Sequence, residues 1–332
     1  KHRQLFLDDY AVEKKIGVKQ TLHPPKKCGP VLKPNRSIGE TSIQSRSAPQ
    51  WNPEKDLWEW WYFGNHIYYA TSTDLEHWET PSLGLYEWNG SKDNNIANDP
   101  HGDQSKRLYH IVRDENDPDP QRRYKGLFSA SDRYLGTSPD GFNWTMLDVP
   151  PIRSSDESHF TYDEISGQFI AMVKQGTEWG RSVFLATSTD FDQFSEPELV
   201  FHSDKIDWEN RKKRVREIIE NPAYITPATV DDLDYSHTQE IDGVTPAETY
   251  HMAVMPYEGF YVGFPLIFNV FGANPPPHMN HSRINQIEMT VSRDLRHWER
   301  VADREVFIGI EPWDGVRYNT SQVGMAGRPI VG

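Results

Sequence analysis

The sequence holds a single cysteine, Cys28, so no disulfide can close within the chain, and the redox environment is left open. No apolar run approaches the ~18 residues that span a bilayer, which removes a membrane-spanning helix from the expected fold. The first residues, KHRQLFLDDYAV, lack the apolar stretch of a signal peptide. Positive charge is also scarce: 35 Lys and Arg stand against 49 Asp and Glu, for a formal charge of −14. Such a field repels phosphate backbones and anionic lipid headgroups, so neither nucleic acid nor a membrane is expected as a partner. A neutral or locally recognised molecule fits better.

Aromatic residues, by contrast, are plentiful. With 11 Trp, 15 Tyr and 15 Phe, the mean hydropathy of −0.74 describes a polar surface around a ring-rich interior rather than disorder. The 24 Pro and 22 Gly are scattered, as suits many short strands joined by turns. The expected class is all-β.

One phrase, Ser-x-Asp-x-x-x-aromatic, recurs four times, at Ser72-Asp74-Trp78, Ser138-Asp140-Trp144, Ser188-Asp190-Phe194 and Ser292-Asp294-Trp298. Ahead of each copy lie two aromatic and β-branched runs split by a polar link, such as LWEWWYFGNHIYYATS and RYKGLFSASDRYLGTS. A further strand candidate precedes each pair: TSIQSRSAPQ, RLYHIVRD, SHFTYDEI and TYHMAVMPY. With the strand that holds the Trp, each repeat has four strands, the signature of a β-propeller spanning 1–332 as a single domain. The Asp of each phrase accepts backbone N–H groups in a tight turn, the Trp packs back onto the neighbouring blade, and the role of the phrase is structural. GMAGRPIVG reads as the opening of another blade, and LFLDDYAVEKKIGVKQTLH as a source of its missing strands. In the long interval before the fourth copy, an amphipathic helix is expected near 207–221, with Trp208, Val215, Ile218 and Ile219 on one face and Asn221-Pro222 ending it. Its basic residues, Arg211 to Arg216, read as a solvated face.

The Ser-x-Asp-x-x-x-Trp phrase at blade edges resembles that of five-bladed propeller glycosidases, particularly glycoside hydrolase families 32, 43, 68 and 117. GLYEWNGSKDNNI, RDENDPDPQRRYKGLF and SHFTYDEISGQFIAMV are similar to segments of bacterial proteins of family 32 or 43 type, and the likeness runs over about residues 5–332. It implies five blades around an axial funnel that binds sugar, with carboxylates on the innermost strands. The family 32 motif Asn-Asp-Pro-Asn-Gly has an echo at Asn98-Asp99-Pro100-His101-Gly102, but this opens the second repeat and is read as a turn.

Glycoside hydrolysis uses a carboxylic acid and a carboxylate about 5–9.5 Å apart. The carboxylates on or beside the inner-strand candidates are Glu40, Asp114, Glu115, Asp156, Glu157, Glu311 and Asp314, with Glu288 in the otherwise apolar NQIEMTVS. The working assignment makes Glu40 base or nucleophile, Asp156 an orienting group, and Glu288 an acid whose burial raises its pKa. Arg46, Trp51, Arg113, Asp114, His159, His251 and Glu311 are the expected substrate contacts, the arginines as forks for hydroxyls or anions and Trp51 as a stacking platform. No cofactor or metal site is expected; a structural or axial ion stays open, since His278 and His281 form an H-x-x-H pair without a third ligand. The chain is read as a secreted or periplasmic glycosidase, with a carbohydrate substrate and, if sheet edges stay open, a second copy of itself as partner. Phosphorolysis on the same fold and sugar binding without catalysis are the alternatives.

Overall fold

The computed structural model describes residues 3, 5–99, 102–224, 247–273, 281–312, 314–317, 319–320, 322–325 and 327–331. The aromatic runs form antiparallel sheets joined by turns. The first blade contains β1 (Gln50–Asn52), β2 (Leu57–Phe63), β3 (Ile67–Ser72) and β4 (Ile96–Asn98). The second contains β5 (Leu108–Arg113), β6 (Tyr124–Phe128), β7 (Tyr134–Ser138) and β8 (Thr145–Met146). The third contains β9 (Ser158–Asp163), β10 (Gln168–Thr177), β11 (Gly180–Ser188) and β12 (Glu198–Phe201). In the fourth, β13 (Glu248–Tyr257) and the long β14 (Phe260–Ala273) are followed by β15 (His281–Ile287), β16 (Thr290–Ser292) and β17 (Trp298–Arg300). Both β15 and β16 pair with β14, so they are two halves of one third strand, interrupted at Glu288 and Met289.

The result is an all-β propeller. The first strands of successive blades lie side by side and run in the same direction: Ile111 N–H donates to Ser47 Oγ at 2.9 Å, Arg113 N–H to Gln50 Oε1 at 2.9 Å, and His110 Nε2 meets Ser158 Oγ at 2.7 Å. The core fills the spaces between blades. Trp61 and Tyr69 of the first blade pack with Ile111, Tyr124 and Phe128 of the second, and further clusters join second to third and third to fourth.

The expected fifth blade is not found: four sheets occur among the described residues. The C-terminal stretch runs between the fourth and first blades instead. Gln322 bridges Asn285 in parallel, a side chain at Gly324 would touch His251, and one at Gly327 would collide with the Ala48 backbone. The N-terminal segment supplies no strand among its described residues; Leu5 and Leu7 pack on the fourth blade, and Asp8 pairs with Arg293 at 3.0 Å.

The repeated phrases are turns, as expected. Asp140 accepts the backbone N–H groups of Phe142 and Asn143, both at 2.8 Å, and Asp74, Asp190 and Asp294 do the same in their own turns. The next residue is left-handed in every copy, with φ 66° at Leu75, 81° at Gly141, 67° at Phe191 and 66° at Leu295. One detail differs from expectation. Trp78 and Trp144 pack on their own blades, against Trp60 and Phe128, while the turn tip reaches the preceding blade. Phe142 meets Trp61 and Tyr69 of the first blade, Leu295 joins Ile170 and Met172 of the third, and a Cβ on Gly141 would sit 2.4 Å from the Trp61 ring.

The inserted helix, α1 (Lys205–Ile219), starts slightly earlier than expected because Asp204 caps it, receiving the N–H groups of Ile206 and Asp207 while Asp207 returns a bond to its backbone. Its basic residues do not form one solvated face. Arg211 and Arg214 turn inward and are buried: Arg211 donates to the Val270 carbonyl, and Arg214 bonds Glu288 at 2.7 Å. Arg300 completes the network with bonds to Glu288 at 2.8 Å and Asp207 at 2.9 Å. Glu288 of the blade and Asp207 of the helix are thus tied together through Arg214 and Arg300, a pattern that helical hydrophobicity alone does not reveal.

Candidate active site

Two ends of the inner strands face solvent, and they differ in chemistry. Where the strands begin, Asp156 and Glu157 precede β9. Their backbone is held by Arg133, a fully buried side chain that donates to the carbonyls of Ser155 at 2.9 Å and Asp156 at 2.8 Å and to Ser158 Oγ at 2.8 Å. Glu157 is buried and takes Arg46 Nη2 of the first blade at 2.6 Å. Asp156 is exposed, ion-paired with the buried Lys174 of β10, and accepts a long 3.4 Å bond from Tyr250 of the fourth blade. The Lys174 ammonium lies 3.9 Å from the Tyr250 ring centroid, and beside it Arg181 pairs with Glu248. Three blades therefore contribute to one cluster.

The two neighbouring carboxyls titrate in opposite directions. Burial pushes Glu157 upward, and the opposing pull of Arg46 and Lys174 does not cancel it. Burial also acts upward on Asp156, but its contact with Lys174 outweighs this and holds it below the ordinary aspartate range. At neutral pH Asp156 is ionised, while Glu157 is the group nearer to carrying a proton.

The other expected residues are placed as follows. Glu40 is wholly buried at the foot of the first blade's inner segment, where it accepts the Asn35 N–H at 2.5 Å beneath Gly64; burial raises its carboxyl. Burial also pushes Glu288 upward, as expected, but both its oxygens are bound by Arg214 and Arg300 beside the helix. No contact among the described residues joins Glu40, Asp156 and Glu288 into one constellation. His159 and His251 lie on the axis below Asp156 and Glu157. Burial lowers His159 to about 4 and His251 to about 3, and His159 Nε2 meets the Val254 carbonyl at 3.1 Å, so both are neutral interior groups.

Trp51, Arg113 and Asp114 sit at the opposite end, where the strands finish. Trp51 packs on Trp58 with centroids 5.3 Å apart and, with Arg113, Tyr257 and Arg328, lines a cleft of about 1220 Å³. The Arg113 guanidinium is occupied by Tyr124 and Glu115, and buried Asp114 accepts the Asn116 N–H at 2.9 Å and pairs with Lys125. Glu311 is partly exposed near the C-terminus, accepting from Asn319 at 2.9 Å. His278 and the His281 side chain lie outside the described residues, and no group of three metal-ligating side chains occurs among those described. Sequence reasoning placed Glu157 beside an inner strand without assigning it a role, and missed Lys174 and Arg133. A lone Lys inside the apolar run QFIAMVKQGT was the available signal.

No protein-family model matches this sequence, nor does any curated protein. Solved structures do resemble it. An endo-1,4-beta-xylanase of Bacteroides thetaiotaomicron matches 81% of this chain and 78% of its own at 10% identity, with a TM-score of 0.47. A family 117 glycoside hydrolase of Zobellia galactanivorans matches 85% and 74% at 13% identity and TM-score 0.42, and a Bombyx mori GH32 beta-fructofuranosidase 79% and 48% at 11% and 0.40. The likenesses are distant, and no residue role is carried over from them. No helix among the described residues is long and apolar enough to cross a membrane.

Proposed function

We propose that this protein is a glycoside hydrolase acting on an oligo- or polysaccharide, with Glu157 as general acid and Asp156 as base or nucleophile. The observation that carries the reading is the opposite titration of these adjacent carboxyls where three blades meet. Divergent environments for two acids are what separates proton donor from carboxylate. Glu157 delivers its proton to the departing glycosidic oxygen. Asp156, kept ionised by Lys174, attacks the anomeric carbon or removes a proton from the water that does. Arg133 acts through the backbone that carries both groups and is a positioning residue.

The test is hydrolysis across a panel of aryl glycosides and plant and algal polysaccharides. Asp156→Asn and Glu157→Gln are each expected to lower turnover by about 10²–10⁴ while leaving the thermal transition in place; full turnover in either variant would reject its assignment. The pH profile gives a second check. Activity is lost as pH falls through the lowered Asp156 value and as it rises through the raised Glu157 value, and Lys174→Met should move the acidic limb to higher pH. The crowd of cations, Arg46, Lys174 and Arg181, favours one other reading, phosphorolysis. Product formation that requires inorganic phosphate would select it, and sugar binding without product would leave a binding protein.

A further inference from the structure

At the same end of the axis, between the first two blades, lies a small pocket of about 190 Å³ lined by Ser42, Gln44, Arg46, Phe63, Arg107 and Tyr109. It contains no carboxylate, in a chain of charge −14. Both guanidinium groups flank the Phe63 ring, with Arg46 Cζ 5.4 Å and Arg107 Cζ 5.2 Å from its centroid. Arg107 has no acidic partner among the described residues; its Nη2 donates to the Gly64 carbonyl at 2.9 Å. The Nε–H groups of Arg46 and Arg107 are both buried without an acceptor. Two guanidinium side chains lining one pocket with no carboxylate beside them make an oxyanion the complementary ligand. Arg46 is the link to the chemistry, because its Nη2 holds Glu157 while its side chain also lines the pocket.

We propose that this pocket binds an anionic substituent, a carboxylate or a sulfate ester, carried by the sugar next to the scissile bond. The substrate class is then an acidic glycan rather than a neutral one, an inference that rests on the glycosidase reading for its position but not for its binding chemistry. The pocket is small beside the ~300–1,000 Å³ of typical ligand sites, which suits a substituent and excludes a sugar ring.

The experiment is calorimetric binding of galacturonate and sulfated galactan oligosaccharides, each against its neutral or desulfated counterpart, to the full chain. Anionic ligands are expected to bind at least tenfold more tightly than neutral ones, and Arg107→Ala should erase the difference. Because Arg107 also holds Gly64, Ser42→Asp provides a second variant that puts negative charge in the pocket without removing that bond, and it should erase the preference as well. Equal affinity for anionic and neutral sugars in the unmodified protein, or a preference that survives both variants, overturns the proposal. Inorganic phosphate or sulfate binding as tightly as the sugars, and lost in both variants, also overturns it in favour of a free-anion site. The readout requires no turnover, so tight acidic-glycan binding with no hydrolysis would sink the catalytic reading and leave this one standing.

Discussion

The two ends of the inner strands make opposite uses of the same scaffold. The end where the strands finish has the larger opening, with Trp51, Trp58 and Tyr257 on its walls, yet the charged groups there are tied to one another, as Arg113 is to Tyr124 and Glu115. The end where they begin has less open volume but holds acids displaced in opposite directions beside a cationic pocket whose lining has no carboxylate. Volume accommodates ligand surface, whereas perturbed ionisation marks where protons can be moved.

The sharpest way to break this comparison is to mutate both ends and assay one reaction. Glu157→Gln is expected to lower kcat/KM by about 10²–10⁴, the usual range for a lost acid or base, while Trp51→Ala leaves kcat within a few fold. A large loss of kcat from Trp51→Ala alone would move the chemistry to the wide cleft. Next in size is Glu288→Ala, which leaves Arg214 and Arg300 facing each other in the interior; about 3–5 kcal/mol of unfolding free energy should disappear in urea titrations. Removing an acid at the begin-end should change stability far less.

A third measurement concerns the axis between the two ends. His159 and His251 have folded pKa values lowered to about 4 and about 3, against ~6.5 in an unfolded chain. Their contribution to stability is complete above the unfolded value and is lost as pH falls from about 6.5 through the folded values. Urea midpoints should fall across that interval, less steeply in His159→Gln; an unchanged slope would show that other groups govern acid unfolding. The smallest expected effect is that of Asp140→Ala. It removes the two backbone hydrogen bonds and the two side-chain bonds that hold the turn, costs about 1–2 kcal/mol, and leaves the pH–rate profile superimposable on that of the unmodified protein.

The blades were legible because their signals are local. Alternating aromatic runs and a side chain that bonds its own backbone two and three residues on are written within a dozen positions, as at Ser138-Asp140-Trp144. The site was legible only in part, because it depends on which end of a strand a residue occupies. A six-residue strand spans about 20 Å, so Arg46 and Arg113, both on inner-strand segments, end up at opposite mouths. Asp156 was picked out, and Glu157 beside it was weighed without a role. Glu288 is ambiguous for a physical reason: an acid in an apolar strand signals burial, burial serves a proton donor and a doubly paired anchor equally well, and the pairing with Arg214 comes from a helix 74 residues away in sequence. The fifth blade rested on resemblance and on GMAGRPIVG read as an opening strand, with no fifth copy of the turn phrase behind it.

The turn tips have an implication for how such a molecule changes over evolutionary time. The second, third and fourth repeats each carry a latch onto the blade before, so a duplicate of one of them arrives already equipped to attach. The latches are not interchangeable, however. Gly141 is the residue that leaves room for Trp61, whereas Leu295 fills a hollow beside Ile170 and Met172. Swapping the second and fourth repeats would press a leucine into a tryptophan and leave a void under a glycine. The order of the blades is thereby fixed at the rim of the wheel, independently of anything that happens at its hub.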